Sequence, residues 1–376
     1  MAFDFDEVRD RRGTDSVKWR RYAGCDVLPL WVADMDFAAP PAVIEALRRR
    51  IEHGIFGYAS PWPSLVEATV EYLERAHGFA VDRSWLVWLP GLVSGLNVAC
   101  RAIEGDVFTA VPVYPPFLSA PARLITAPLR RGPDRWEWDL EAVEAALGPT
   151  TRLFLLCHPH NPVGRVWGEG ELAALSELSE RRDLIVCSDE IHAGLVLEPG
   201  RIHRPFASLS PEALRRSITL YSPSKTFNLP GLGCALAVIP DPALRARFRR
   251  AMEGIVPHVN VLGLVACEAA FRGGAQWHGA LLDYLRGNRD RVLEVVRGIP
   301  GLRTTPVEAT YLAWIDATGT GLEAPQAHME AAGIGLSDGA EFGPGEAYRG
   351  FLRLNFGCPR ATLEEALSRL RRALSG

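Results

Sequence analysis

Between residues 85 and 239 the chain keeps returning to a short apolar run: Trp85 to Leu89, Val107 to Val111, Thr151 to Cys157, Leu184 to Ser188, Ser217 to Tyr221 and Cys234 to Ile239. Continuous apolar stretches of this length suit strands buried on both faces, and most of the intervals between them carry helical patterns. Strands that alternate with helices favour an open, largely parallel sheet with helices packed on its faces. In such a sheet, ligand sites gather beyond the carboxyl ends of the strands. The residues that follow these runs are therefore the first candidates for chemistry.

The flanking sequence enlarges the picture. Phe3 to Asp26 is polar, aromatic and irregular, a poor candidate for a compact unit, and Leu28 to Phe37 reads as a short extended segment. Pro41 is placed to open a helix that runs to His53 and stops at Gly54, and a second helix runs from Pro63 to His77 before Gly78. Between them, Ile55-Phe56-Gly57-Tyr58-Ala59-Ser60-Pro61 is too rich in glycine, proline and aromatics for a helix. Beyond the sheet, long helices over His258 to Phe271 and Gln276 to Arg297 lead to strands at Tyr311 to Asp316 and Gly350 to Phe356 and a final helix from Thr362 to Leu374. There is no internal repeat and no low-complexity linker. With 376 residues, one large and one smaller domain are expected.

Only two of the 41 basic residues are lysines, Lys18 and Lys225. Arginine keeps its proton near neutral pH, so chemistry that needs a neutral amine has few places to go. Lys225 is the better placed. It stands in Ser222-Pro223-Ser224-Lys225-Thr226, directly after an apolar run and among hydroxyls suited to a phosphate, although an ordinary loop lysine has the same surroundings. Asp189, after Leu184 to Ser188, emerges where a carboxylate can keep a ring nitrogen protonated. Asn161, in a proline-stiffened loop, can donate to a phenolic oxygen, and Tyr114 can lay its ring on a flat ligand. Singly, each has a plainer reading: Asp189 as a helix cap, Asn161 as a turn former, Tyr114 as core. Their order along one sheet, ahead of a lone loop lysine, favours a site. The turn Gly91-Leu92-Val93, joining a strand to a helix, offers N–H groups to a phosphate.

Other classes are disfavoured. A net charge of -4 gives no basic footprint for nucleic acid. The seven cysteines are widely spaced, with no Cys-x-x-Cys pair or histidine cluster to propose a metal site, and suggest buried thiols in a reducing compartment. No apolar run reaches membrane-spanning length and the N-terminus lacks a leader's apolar core, so a cytoplasmic protein without membrane or nucleic-acid partners is expected.

Taken together, Tyr114, Asn161-Pro162-x-Gly164, Asp189-Glu190-Ile191-His192 and Ser222-Pro223-Ser224-Lys225 resemble the fold-type I pyridoxal-phosphate enzymes of the aminotransferase class I/II superfamily. Trp31 to Phe37, His53 to Tyr58, Cys157 to Trp167, Ser188 to His192 and Arg353 to Arg360 narrow the resemblance to the cystathionine β-lyase branch called MalY/PatB. It implies a three-layer α/β/α large domain with a mostly parallel seven-stranded sheet and a smaller α+β domain. Residues 1–47 would form an N-terminal segment and part of the small domain, 48–275 the large domain and 276–376 the C-terminal small domain. It further implies pyridoxal 5′-phosphate as cofactor, with Lys225 bonded to its aldehyde, Asp189 at the pyridine nitrogen, Asn161 and His192 at the ring oxygen and Tyr114 on the ring face. Gly91, Leu92, Val93, Ser222 and Ser224 would hold the phosphate, joined by Tyr58 from the neighbouring subunit of a homodimer. Arg353, with Asn161 and Ala33, would bind the substrate; by strand alternation alone Arg353 reads equally as solvent-facing. Typical transaminases carry an arginine shortly after the lysine, whereas here Gly231-Leu232-Gly233-Cys234 is uncharged, as in the lyase branch. The implied activity is α,β-elimination from cystathionine, cysteine or a cysteine S-conjugate to thiol, pyruvate and ammonia, ahead of transamination of a small amino acid or a non-catalytic regulatory role.

Overall fold

The computed structural model describes residues 3–375. Seven strands, Leu86–Leu89, Asp106–Val111, Leu124–Pro128, Thr151–Cys157, Ile185–Asp189, Ser217–Tyr221 and Ala235–Val238, form one sheet. Numbered along the chain, they lie side by side in the order first, seventh, sixth, fifth, fourth, second, third. All neighbours are parallel except Ala235–Val238, which runs antiparallel to both Leu86–Leu89 and Ser217–Tyr221.

Both faces of this sheet are buried, which is why its strands read as apolar runs. Along Ala235–Val238, Ala235 and Ala237 enter one core while Leu236 and Val238 enter another. The first core is closed by the helices Leu92–Ala102, Glu169–Arg181 and Pro242–Met252 through Leu96, Leu175 and Phe248; the second by Pro63–His77 and Val261–Gly273 through Leu73 and Leu264. The result is three layers, helix on sheet on helix. Pro41 and Pro63 begin their helices, and Gly54 and Gly78 end them in the left-handed conformation at φ of 75° and 63°.

The strand Leu124–Pro128 gives no signal in the sequence. It lies at the sheet edge, half exposed, and ends in a proline, so it lacks the buried run that marks the others. A smaller antiparallel sheet joins Arg303–Thr304, Leu312–Asp316, Phe351–Asn355 and Ser337–Asp338. The helices Ala275–Arg297 and Arg360–Ala373 share its core through Leu285, Val292, Leu363 and Leu367.

The N-terminal stretch is irregular, as expected apart from the short helix Val17–Arg20, yet it is tied firmly to the rest of the fold. Phe5 packs against Phe37 and Trp277, and Lys18 is completely buried, 2.6 Å from Asp36 and 3.6 Å from Asp34. Arg11 binds the same two carboxylates, so opposite charges fasten residues that no apolar pattern could reveal. Lys18 is thereby committed to structure. All seven cysteines are free and five are buried. Among the described residues no helix is long and apolar enough to cross a membrane, and no cluster of three or more ligating side chains stands ready for a metal ion.

Candidate active site

Five strand ends converge on one cavity of about 220 Å³. Asp189 closes the strand Ile185–Asp189, flanked in register by Cys157 and Leu220, so the loops carrying Asn161 and Lys225 leave the sheet beside it. The turn after Leu86–Leu89 adds Gly91, Leu92 and Val93, the residue after Val113 adds Tyr114, and Ala33 arrives from the N-terminal extended segment.

Lys225 is half-buried and its Nζ donates to the carbonyl oxygen of Ala33, which also accepts from the Tyr311 hydroxyl at 2.9 Å. Burial lowers its pKa to about 8, helped by the Arg353 charge and opposed by Asp34 and Asp189. Asp189 is buried and accepts one hydrogen bond, from the Ile191 N–H to Oδ1 at 3.1 Å. Burial raises its pKa to about 7 and the adjacent Glu190 adds to the rise, so this carboxyl gains by meeting a positive group in the cavity it lines. His192 is buried, its Nδ1 has no partner, and burial pulls its pKa down to about 3, so its imidazole is neutral.

At the other end, the helix Leu92–Ala102 begins at Gly91, and the first N–H groups of its turn have no partner within the helix. Ser224 lines the same end. Ser222 stands behind it, within 2.6 Å of the Ser224 hydroxyl and accepting the Ser224 N–H at 3.1 Å, so it braces the turn and does not line the cavity. Gly233 closes this wall with φ of 56°, and a Cβ there would stand 3.1 Å from the Pro90 carbonyl, so a side chain would meet both strain and crowding.

Arg353 settles the choice that alternation left open. It is 5 % exposed and points inward. Nη1 donates to Asn161 Oδ1 at 3.2 Å, Nη2 to the Trp31 carbonyl at 2.7 Å and to Ser337 Oγ at 3.1 Å, and its guanidinium lies 4.9 Å from the centre of the Phe342 ring. Every one of these partners is neutral, and Nε is buried with none. A buried cation without a carboxylate partner costs free energy unless an anion joins it. Burial brings its pKa down to about 10, so it remains charged at neutral pH. Asn161 spends its Oδ1 on Arg353 and leaves Nδ2 without a protein partner among the described residues.

Of the expected site residues, Tyr58 alone is remote from this cavity within the chain. It is fully exposed and lines a separate groove with Phe56 and the segment Pro257 to Leu262. The supports that no sequence motif announces are Tyr311, Ser337 and Phe342; Asn355, inside the block Arg353 to Arg360 but with no role read for it there, donates from Nδ2 to the carbonyls of Val32 and Asp34 at 2.6 and 2.7 Å and so fixes Ala33 between them. An amine of lowered pKa, a buried carboxyl in want of a cation, N–H groups in want of an anion and a tyrosine ring on one cavity match what pyridoxal 5′-phosphate presents: an aldehyde, a ring nitrogen, a phosphate and a flat face.

Comparison with known proteins agrees. The aminotransferase class I and II family model matches residues 26–370. Cystathionine beta-lyase PatB of Bacillus subtilis is 37% identical, over 99% of this chain and 100% of its own. The crystal structure of OvoB superposes with a TM-score of 0.96 at 49% identity, covering 100% of both chains. Cystalysin of Treponema denticola, whose structure contains pyridoxal 5′-phosphate, superposes with a TM-score of 0.94 at 29% identity over 100% of this chain and 99% of its own.

Proposed function

This chain belongs to the aminotransferase class I and II family, in its cystathionine-β-lyase-like MalY/PatB group, and from that footing we propose that it is a carbon–sulfur β-lyase acting on cystathionine, cysteine or a cysteine S-conjugate. Pyridoxal 5′-phosphate is its cofactor, as in the solved relatives. The observation that carries the reading is Lys225, an amine of lowered pKa sharing a cavity with Asp189 and lying near Arg353, a buried cation whose hydrogen-bond partners are all neutral.

When bound, the cofactor supplies an electron sink for the pair left as the substrate Cα–H bond breaks. Asp189 would hold the proton on the ring nitrogen, the task for which its raised proton affinity suits it. Tyr114 would support the ring face, Asn161 and His192 would meet the ring oxygen, and the Gly91–Val93 turn with Ser224 would take the phosphate, with Ser222 bracing Ser224. Arg353, with Asn161 and the Ala33 carbonyl at its side, orients the substrate carboxylate so that Lys225, once free and neutral, removes the Cα proton. A thiolate on Cβ then leaves, and the released enamine hydrolyses to pyruvate and ammonia.

Two features favour elimination over transamination. Gly231 to Cys234 places no cation beside the phosphate turn, and the group's characterised members include enzymes named as β-lyases. Pyruvate and free thiol are therefore expected from a cysteine thioether with no keto acid added, followed by coupled pyruvate and thiol assays across a panel of S-conjugates. Product that appears only when a keto acid is supplied would make the enzyme a transaminase.

The active sites are shared in a homodimer, with Tyr58 serving the partner's phosphate. Its full exposure beside Ile55 and Phe56, both also exposed, supports this, since an exposed apolar and aromatic stretch suits an interface between copies of the chain. Lys225→Ala and Tyr58→Phe are each expected to cripple the homodimer, whereas refolding the two together should restore activity, because one site of each mixed dimer then carries both lesions and the other none. Mixed dimers that stay inactive, with Tyr58→Phe shown to be impaired, would place Tyr58 in service of its own chain.

A further inference from the structure

Behind Asp189 lies a second carboxylate to which the chemistry above gives no work. Glu190 is 1 % exposed. Its Oε1 accepts from Ser188 Oγ at 2.9 Å and from the Phe206 N–H at 3.0 Å, and its Oε2 from His203 Nε2 at 2.7 Å and the Tyr221 hydroxyl at 2.5 Å. Four donors on two oxygens fill the acceptor sites of an ionised carboxylate. Burial pushes the Glu190 pKa up, opposed by His158 and by the bonds from Tyr221, the Phe206 N–H and Ser188, while His77, His158 and His203 around it are each held by burial at a pKa of about 3 and bring no positive charge at neutral pH.

The placement of these bonds is what gives Glu190 a task. Its N–H donates to the Leu220 carbonyl at 2.9 Å, and its side chain grips Tyr221, the last residue of the strand that leads through Ser222 to Lys225. One buried carboxylate thus ties the strand end that carries Asp189 to the strand end that delivers Lys225. Asp189 and Lys225 line one cavity, where they would hold the cofactor's ring nitrogen and its aldehyde carbon.

We propose that Glu190 is a positioning residue for Asp189: its strut to Tyr221 and His203 fixes the Asp189 carboxyl on the cavity wall, and its negative charge, one residue behind, reinforces the hold of Asp189 on a protonated ring nitrogen. This rests on the reading that Asp189 meets that nitrogen. It predicts a selective effect. A ligand that carries the ring nitrogen should sense Glu190, and a ligand of the same shape without it should not.

The test is equilibrium binding of pyridoxal phosphate and of its 1-deaza analogue, in which a C–H replaces the ring nitrogen, to the full-length apoprotein. Wild type should prefer pyridoxal phosphate, and Asp189→Ala should lose that preference. Glu190→Gln should weaken pyridoxal phosphate about tenfold while leaving the deaza analogue within about twofold, the size of one charge-assisted contact. If Glu190→Gln does not fold, Tyr221→Phe, which removes a single hydroxyl from the strut, should show the same selectivity with a loss of about threefold. An equal loss for both ligands would make Glu190 a scaffold residue only, and no loss for either would remove it from the site; both overturn the proposal. Asp189→Ala that keeps the wild-type preference would instead overturn the reading of Asp189 on which the proposal stands.

Discussion

Lys225→Ala will lose turnover of a cysteine thioether by at least about 10³-fold, since both the amine that joins the cofactor and the base that takes the Cα proton disappear in one substitution. The loss has a chemical signature apart from rate. Borohydride should fix pyridoxal phosphate to the wild-type chain at Lys225 and to no residue of the variant. The chain makes this test unusually clean, because its only other lysine, Lys18, is completely buried and paired with Asp36 and Asp34. Arginine, which supplies the rest of the basic residues, does not form the adduct. A borohydride-stable adduct on Lys225→Ala, or turnover near that of wild type, would sink the assignment. Lys225→Arg separates charge from chemistry: it keeps a cation in reach of the Ala33 carbonyl and Asp189 but supplies no neutral amine at working pH, so it should be as inactive as alanine.

The large sheet and the strand-end residues were legible because burial on both faces leaves a trace that survives in the sequence. Thr151–Cys157 and Ser217–Tyr221 fall where their apolar runs lie, and Asp189 and Lys225 follow such runs at the ligand edge. The edge strand Leu124–Pro128 was illegible for the opposite reason, being half exposed and proline-ended. The N-terminal stretch is irregular, as its sequence suggests, but its attachment to the fold was illegible because it comes from charge pairing, Lys18 and Arg11 with Asp34 and Asp36, and pairing between residues more than a dozen positions apart has no period to detect. The same holds in the site. Asp189, Asn161 and Lys225 could be placed one by one, but the contacts that set their environment, Tyr311 on the Ala33 carbonyl and Ser337 and Phe342 on Arg353, join residues hundreds of positions apart in the chain or a strand away in space. Ser222 shows a subtler limit, since a hydroxyl two residues from Ser224 can either meet a phosphate or cap the turn that does, and spacing alone does not separate the two.

Arg353 is where sequence and structure diverged most usefully, and its removal should be the second large effect. Alternation along Phe351–Asn355 permits a solvent-facing arginine, yet the side chain is buried on Phe342, with Asn161, Ser337 and the Trp31 carbonyl as partners and no carboxylate among them. A cation desolvated to this degree and left without a counter-charge is destabilising for the fold, so its retention points to a ligand that brings the missing anion. If that anion is the substrate carboxylate, Arg353→Ala should raise KM and lower kcat/KM by about 2–5 kcal/mol, because it removes one partner of a desolvated pair and the alignment that pair imposes. The protein itself should lose little stability or gain some, since the variant no longer buries a charge without a counter-charge; thermal unfolding checks this independently of turnover. A substrate analogue offers the sharpest control. An S-substituted cysteamine, which keeps the amine and the sulfur but has no carboxylate, should be turned over poorly and equally by wild type and Arg353→Ala. If instead the variant acts on the cysteine thioether with near-normal kinetics, or loses as much on the cysteamine analogue as on the amino acid, Arg353 does not bind the carboxylate, and its buried charge must be answered by some other group.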